Sequence, residues 1–252
     1  MRHLKYGEID LKIFETREEM GKVAATEAAK RIKELLKQKE EINCVFAAAP
    51  SQNDFLKSLK EDKSIEWNKI NAYHMDEYIG FEIGSPHSFS GFLNNTIFNK
   101  VPFKSINLIN GLANPEEECR RYGGLIKKNP IDIVFMGIGE NGHIAFNDPS
   151  VADFNDKEIM KVVELEESCR MQQVHDGCFP DIDSVPKKAL TLTIPTLIHC
   201  DHIFCVVPTI NKANAVACAL EGEITEKCPA SILRITKNVH MYIDEEAASK
   251  LS

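Results

Sequence analysis

The sequence contains no apolar stretch that approaches the roughly 20 residues needed to cross a membrane. Its first eight residues also lack the apolar core of about 7 to 15 residues that a secretory signal carries. Low-complexity tracts are absent as well, and the hydrophobic fraction of 43% against 27% charged residues is ordinary for a globular protein. We therefore expect a folded cytoplasmic protein with no membrane partner.

An excess of positive charge and closely paired cysteines are also missing. Lys and Arg number 30 against 38 Asp and Glu, and the formal net charge of -8 opposes non-specific binding to the phosphate backbone of nucleic acid. The eight cysteines include no C-x-x-C pair, so we expect reduced, packed thiols in preference to disulfides or a zinc site. An anionic ligand would then have to be held by a local arrangement of residues.

The sequence does contain strand and helix patterns that alternate along 252 residues, a length that one α/β domain commonly spans. A capping box at Thr16-Arg17-Glu18-Glu19 opens the first predicted helix, and further helices are predicted over 115–127 and 211–220. Several predicted strands are almost continuously apolar, which is typical of burial on both faces. The predicted strands cover 10–15, 42–49, 70–75, 106–109, 131–136, 189–194, 202–207 and 239–243. This pattern predicts a single domain over 1–252, an α/β fold with a doubly wound, mainly parallel sheet and helices on both faces.

Polar residues directly after the predicted strands are candidates for a ligand site. In a doubly wound sheet, ligands gather beyond the carboxyl ends of the strands, near the point where the strand order reverses. This rule selects Ser51 and Gln52, Asp76 and Glu77, and the loop 137–148.

That loop carries Gly137, Gly139 and Gly142 in the G-x-G-x-x-G spacing of dinucleotide-binding proteins. The fingerprint should open a long helix, but Pro149 soon interrupts the chain, so we do not expect a nicotinamide cofactor. A tight turn would explain the three glycines through their freedom to adopt positive φ. It would not explain His143, which is placed to carry protons beside a carboxylate.

The segment 137–149 and the motif Met75-Asp76-Glu77-Tyr78 resemble the glucosamine-6-phosphate deaminase/isomerase family, whose relatives include the 6-phosphogluconolactonases. The likeness continues in order over nearly the whole chain, through Val185-Pro186, Ala189-Leu190-Thr191, Lys212-Ala213 and Pro229-Ala230-Ser231-Ile232-Leu233. It implies a modified Rossmann-like fold and conversion of glucosamine or galactosamine 6-phosphate to a ketose 6-phosphate and ammonia. Family members do this without a metal or organic cofactor, and they are often homo-oligomers.

The resemblance also implies roles for individual residues. Asp76 matches the base that removes the proton from C2, and His143 matches the histidine that opens the sugar ring. Asn141 and Asp148 stand where the family has the carboxylates that orient this histidine. The substrate-binding residues implied are Ser51, Gln52, Glu77, Gly139, Arg170 and Lys212, with Arg170 and Lys212 at phosphate-contacting positions. Glu77 is alternatively a structural neighbour, and solvated surface charges are the alternative interpretation for Arg170 and Lys212.

Two departures from the family pattern leave the activity open. Asn141 stands where the family has an Asp, and an amide cannot stabilise an imidazolium by charge. Asp148 stands where the family has a Glu, so it keeps the negative charge on a shorter side chain. The phosphate turn is rich in glycine in the family but is Ala-Ala-Pro-Ser-Gln-Asn-Asp here, and its last residue, Asp54, adds negative charge. The alternatives are a sugar-phosphate-binding homologue with altered catalysis and a hydrolase of the 6-phosphogluconolactonase type.

Overall fold

The computed structural model describes residues 1–252. The strands are β1 (Arg2–Tyr6), β2 (Ile9–Phe14), β3 (Ile42–Phe46), β4 (Ile70–His74), β5 (Asp76–Tyr78), β6 (Ser105–Asn107), β7 (Ile133–Met136), β8 (Met160–Glu164), β9 (Lys188–Leu192), β10 (His202–Val207) and β11 (Val239–Asp244). The α-helices are α1 (Arg17–Leu36), α2 (Asn53–Glu61), α3 (Phe89–Leu93), α4 (Pro115–Lys128), α5 (Glu167–His175), α6 (Ile194–Ile198) and α7 (Ala213–Glu221). Short 3-10 segments cover Pro50–Gln52, Trp67–Lys69, Ile182–Ser184, Ile210–Lys212 and Pro229–Ile235, and a π-helical turn, Asn94–Phe98, follows α3.

Eight strands form one large sheet in the order β1-β2-β11-β10-β7-β3-β4-β6. Every neighbouring pair is parallel except β1 with β2. From β3 the chain extends the sheet outward through β4 and β6, and from β7 it extends the other way through β10 and β11. The strand order therefore reverses between β3 and β7, and the predicted doubly wound, mainly parallel sheet is confirmed.

The large sheet separates two cores because successive side chains along a strand point to opposite faces. In β10, Ile203 and Cys205 belong to one core, while Phe204 and Val206 belong to the other. Helices α1 and α2 bury their apolar residues on the Phe204 side, and α4 and α7 bury theirs on the Ile203 side. The predicted placement of helices on both faces is confirmed.

The capping box predicted for the first helix is half formed. Thr16 is the N-cap of α1, and its hydroxyl accepts a hydrogen bond from the backbone N–H of Glu19 at 3.2 Å. This bond satisfies one of the backbone donors that the first turn of a helix leaves unpaired. The strand β2 and the helix α1 therefore follow the local sequence signals closely.

The partners of one predicted strand and several elements, α2, α3, α5, α6, β1 and β8 among them, were not anticipated from the sequence. The strand predicted at 189–194 is not in the large sheet: β9 pairs antiparallel with β5 and β8 in a separate three-stranded sheet. Its apolar pattern reports burial but says nothing about its partners, which lie far away in sequence. The edge strand β1 was not predicted because it is mostly exposed and lacks an apolar face.

No helix combines the length and apolar character that a membrane crossing requires. All eight cysteines are free thiols in the structure.

Candidate active site

One cavity lies where the strand order reverses, beyond the carboxyl ends of β3, β4, β7 and β10. This is the position at which doubly wound sheets bind their ligands. Six of the predicted site residues line it, namely Ser51, Gln52, Asp76, Gly139, His143 and Lys212. They come from segments that are widely separated in sequence, so the sheet topology brings them together.

Asp76 follows the end of β4 and begins β5, with its side chain at the cavity. The residue is only 6% exposed, and no protein group donates a hydrogen bond to its carboxylate. Burial, followed by the charge of Glu77, raises the pKa of Asp76 well above its ordinary value. A carboxylate whose pKa is moved toward neutrality is a more effective proton acceptor at neutral pH.

The backbone around Asp76 is held by a buried neutral histidine. The Nε2 atom of His74 accepts the backbone N–H of Ile109 at 2.9 Å, so Nδ1 carries the proton and donates to the carbonyl of Asp76, also at 2.9 Å. Burial lowers the pKa of His74 to about 3, which keeps the ring neutral. The hydroxyl of Tyr122 also bonds the backbone N–H and carbonyl of His74.

Glu77 points away from the cavity, although it is adjacent to Asp76. Its carboxylate accepts hydrogen bonds from the backbone N–H groups of Tyr78, Phe89 and Ser90 at 2.9 to 3.0 Å. Phe89 and Ser90 open α3, so Glu77 caps that helix and fixes it to β5. Burial raises the pKa of Glu77, and these backbone bonds oppose the rise. The geometry gives Glu77 a structural position and not a place at the ligand.

Gly139 and His143 form a compact turn after β7. The backbone N–H of Gly139 donates to the carbonyl of His143 at 2.9 Å, and the imidazole ring occupies the space that a Cβ at position 139 would need. Gly142 adopts a φ of 85°, a conformation that favours glycine. Both glycines are therefore required to seat the histidine, and the helix that a dinucleotide-binding loop would open does not follow.

Asp148 lies behind the histidine ring. Its Oδ1 is 3.1 Å from Nδ1 of His143, although Nδ1 is not aligned for a hydrogen bond with it. Asn141 donates its amide to the same Oδ1 at 2.9 Å, and its own oxygen accepts the backbone N–H of His143 at 3.1 Å. Asn141 therefore orients Asp148 and the turn, while Asp148 alone presents a carboxylate to the ring.

The electrostatics of Asp148 fit this arrangement. Burial by itself would raise the pKa of Asp148, but contact with His143 and hydrogen bonds from Asn141 and the backbone of Glu166 bring that pKa below its ordinary value. The carboxyl thus stays ionised and can support a positive charge on the ring. With an amide at position 141, His143 and Asp148 still form an imidazole-carboxylate pair.

Lys212 supplies positive charge to one side of the cavity. It is 4% exposed and ends the 3-10 segment that leads into α7. Burial lowers the pKa of Lys212, while the charges of Asp176 and Glu140 oppose that change. The preceding turn has an unusual φ of 82° at Thr209, whose backbone N–H donates to both carboxylate oxygens of Asp244.

The turn after β3 completes this side. Gln52 is 1% exposed and donates its amide to the carbonyl of Val206 at 3.1 Å and to Ser51 Oγ at 3.1 Å. Its Oε1 atom is buried without a hydrogen-bond partner. Since buried polar atoms are normally paired, this oxygen is an unsatisfied acceptor on a residue that lines the cavity.

Two charged residues of the sequence analysis lie outside the cavity. The guanidinium of Arg170 donates to the backbone carbonyls of Ile182 and Val185, so it holds the loop before β9 and is not at the anion side. Asp54 forms an ion pair with Arg17. The negative charge predicted to disturb the phosphate turn is therefore neutralised within the protein.

Gln172 and Gln173, which no sequence pattern predicts as site residues, reach the cavity from α5. Gln172 accepts the backbone N–H of Glu140 at 2.8 Å and so connects α5 to the histidine turn. Both glutamines are buried. Two adjacent polar residues on a short helix give little signal by themselves, since only their burial distinguishes them from solvated residues.

The fold and the cavity together define an α/β protein with an acid-base site for an anionic ligand. The family model described as glucosamine-6-phosphate isomerases/6-phosphogluconolactonase matches residues 15–242. A glucosamine-6-phosphate deaminase of Bacillus cereus (strain G9842) is 33% identical over 245 residues, which cover 97% of this chain and 90% of that protein. The chain therefore belongs to the glucosamine-6-phosphate isomerase/6-phosphogluconolactonase family.

Solved structures agree with this assignment. The structure of a monomeric glucosamine-6-phosphate deaminase is 34% identical, with a TM-score of 0.86 over 95% of this chain and 99% of that one. The 6-phosphogluconolactonase from Thermotoga maritima has a TM-score of 0.76 over 94% of this chain and 99% of that one. At 19% identity, the second likeness concerns the fold alone.

Proposed function

We propose that the protein converts an amino-sugar 6-phosphate, glucosamine or galactosamine 6-phosphate, to a ketose 6-phosphate and ammonia. The observation that carries the proposal is the presence in one cavity of Asp76, with a raised pKa, and His143, backed by Asp148. The deaminases among its relatives are similar over most of their length, which supports the same reaction here.

The chemistry needs a series of proton transfers, and the cavity has groups suited to ring opening and to removal of the proton from C2. His143 moves a proton from the C1 hydroxyl to the ring oxygen, which opens the sugar, and Asp148 stabilises the imidazolium that forms in between. Asp76 then removes the proton from C2 while the C1 oxygen gains one, which gives an enolamine. C1 next gains a proton as the amino nitrogen loses one, which leaves an imine at C2. The imine left at C2 takes up water and releases ammonia, leaving the ketose.

The substrate phosphate is assigned to the side of the cavity formed by Lys212, Ser51 and Gln52. Lys212 supplies a buried positive charge, and a bound phosphate would offset the cost of burying it. The unpaired Gln52 Oε1 accepts a hydrogen bond from a sugar hydroxyl. Arg170 is left out because its guanidinium is engaged by backbone carbonyls.

The test is to incubate the purified protein with glucosamine 6-phosphate and galactosamine 6-phosphate and to measure ammonia. We expect release from at least one of them, and the ratio of the two rates identifies the epimer. In a third arm, 6-phosphogluconolactone loss is compared with the buffer blank. No ammonia from a folded protein would contradict the proposal, and lactone loss alone would indicate a hydrolase.

A His143→Ala variant separates chemistry from recognition. We expect it to lose turnover and to keep the ligand-dependent rise in melting temperature that the unaltered protein shows, because Lys212 and Gln52 are untouched. A rise in melting temperature without turnover in the unaltered protein would indicate a binding homologue. A cytoplasmic location and a homo-oligomer stay predictions from the sequence.

A further inference from the structure

Behind the histidine ring lies a second cluster of potential ligand atoms. The Nδ1 of His143, a carboxylate oxygen of Asp148 and the Sγ of Cys169 all lie within 4.8 Å of one another. All three residues are buried, with exposures of 8%, 0% and 1%. No other group of three or more His, Cys, Asp or Glu residues in the chain meets this geometry. Cys169 comes from α5, so the cluster forms only when that helix packs against the histidine turn.

One atom of the cluster lacks a partner. The Nδ1 of His143 is buried and makes no aligned hydrogen bond, although Asp148 Oδ1 is only 3.1 Å away. A buried ring nitrogen of this kind has an unused lone pair or proton. A carboxylate oxygen and a thiol sulfur both lie within 4.8 Å of this nitrogen, so three ligand atoms of different kinds are close together.

The donor set indicates which cation would fit. Imidazole nitrogen, carboxylate oxygen and thiolate sulfur bind Zn²⁺ at about 2.0 to 2.3 Å, whereas Mg²⁺ and Ca²⁺ prefer oxygen ligands only. A tetrahedral Zn²⁺ with these bonds places its ligand atoms about 3.3 to 3.6 Å apart. The limit of 4.8 Å therefore needs a contraction of at most about 1.5 Å between ligand atoms. The three residues leave a fourth position open.

We propose that His143, Asp148 and Cys169 form an inhibitory site for Zn²⁺ or a cation of similar softness. The cation binds Nδ1, the carboxylate and the sulfur, and the Cys169 thiol releases its proton to solvent, so that a metal-thiolate bond replaces the S–H bond. No oxidant or reductant is needed. A metal at Nδ1 removes the contact of His143 with Asp148, and the ring can no longer act as the proton carrier.

The direct test uses Co²⁺ as an optical probe. Metal-free, full-length protein is titrated with Co²⁺ in a buffer that does not chelate metals. We expect a near-ultraviolet thiolate-to-cobalt charge-transfer band that saturates at one Co²⁺ per chain and disappears when Zn²⁺ displaces the cobalt. A folded protein that gives no such band with excess Co²⁺ would overturn the proposal.

Three variants locate the site. Cys169→Ser should lose the band, and Cys178→Ser, which alters a thiol outside the cluster, should keep it. Asp148→Asn should weaken binding at least about tenfold. A band that persists in Cys169→Ser would also overturn the proposal. Should Cys169→Ser fail to fold, X-ray absorption of the cobalt-loaded unaltered protein, which shows whether one sulfur is bound to the metal, decides the same question.

The inhibitory effect rests on the proposed function, whereas the binding site does not. Zn²⁺ should stop ammonia release, and a chelator should restore it. The inhibitory concentration should be at least about tenfold higher in Cys169→Ser than in Cys178→Ser, each compared with its own uninhibited rate. Absence of ammonia release from the unaltered protein would count against the proposed function alone, because the cobalt titration still tests the site. Turnover that is unaffected when the cobalt band is saturated would refute inhibition.

Discussion

The site has a catalytic side, formed by Asp76, His143 and Asp148, and an anion side, formed by Lys212, Ser51 and Gln52. The two sides differ in how many of their polar groups find partners within the protein itself. On the catalytic side, hydrogen bonds hold the backbone of Asp76 through His74 and the carboxylate of Asp148 through Asn141. On the anion side, Lys212 forms no ion pair, and Gln52 Oε1 has no partner. The first side is therefore positioned before a ligand arrives, while the second is completed by the ligand.

This difference has an energetic consequence. A buried ammonium and an unpaired buried oxygen both cost free energy in the unliganded protein, because neither recovers what it loses on leaving water. A bound sugar phosphate would satisfy both. We therefore expect changes on the catalytic side to act mainly on kcat and changes on the anion side to act mainly on KM.

The largest expected effect is the loss of activity in Asp76→Asn, on the catalytic side. The substitution keeps the shape of the side chain but removes the proton acceptor, so kcat should fall by about 10³ while KM changes little. Steady-state ammonia release checks this. A variant that retained more than about a tenth of the activity would show that Asp76 is not the base.

Glu77→Gln is the matched control, since it makes the same chemical change one residue away. Glu77 accepts three backbone N–H groups, and a glutamine cannot accept them all, so the free energy of unfolding should fall by about 1 to 3 kcal/mol. Urea denaturation measures this loss. The kcat of the folded variant should fall far less than that of Asp76→Asn.

Lys212→Met should act on the anion side. It keeps roughly the length of the side chain and removes its positive charge, so KM should rise by about 10- to 100-fold, with a smaller effect on kcat. Lys57→Met is the control, because Lys57 is exposed on α2 and does not line the cavity. A loss confined to kcat in Lys212→Met would contradict the division of the cavity into two sides.

The pH dependence of kcat/KM should reflect both sides. Asp76 must be ionised, and because its pKa is raised, activity should fall on the acid side at a higher pH than its ordinary value of 3.8. Lys212 must be charged, and because its pKa is lowered, activity should fall on the alkaline side below its ordinary value of 10.5. Lys212→Arg should move only the alkaline limb, and it should move it upward.

The smallest expected effect concerns backbone strain beside the cavity. Ala145 has a φ of 50°, which a side chain disfavours, so Ala145→Gly should raise the free energy of unfolding by up to about 1 kcal/mol. Ala217→Gly, in the interior of α7, should lower it by about 1 kcal/mol. Urea denaturation compares the two. Equal destabilisation would show that position 145 carries no strain.

The sequence by itself determined the class of fold and the main candidates for the site. Apolar strand patterns predict the parallel sheet because burial on both faces imposes them locally, and the rule for strand ends selects Ser51, Gln52, Asp76 and the histidine loop. Local signals could not separate Asp76 from Glu77. Their side chains point in opposite directions because β5 pairs with β9, more than a hundred residues later.

Only the tertiary structure decided the partners of each charge. Arg170 is engaged by backbone carbonyls, Asp54 is neutralised by Arg17, and Cys169 reaches Asp148 from α5. These contacts join residues from different elements. Their energies depend on distance and burial, which the order of residues along the chain does not express.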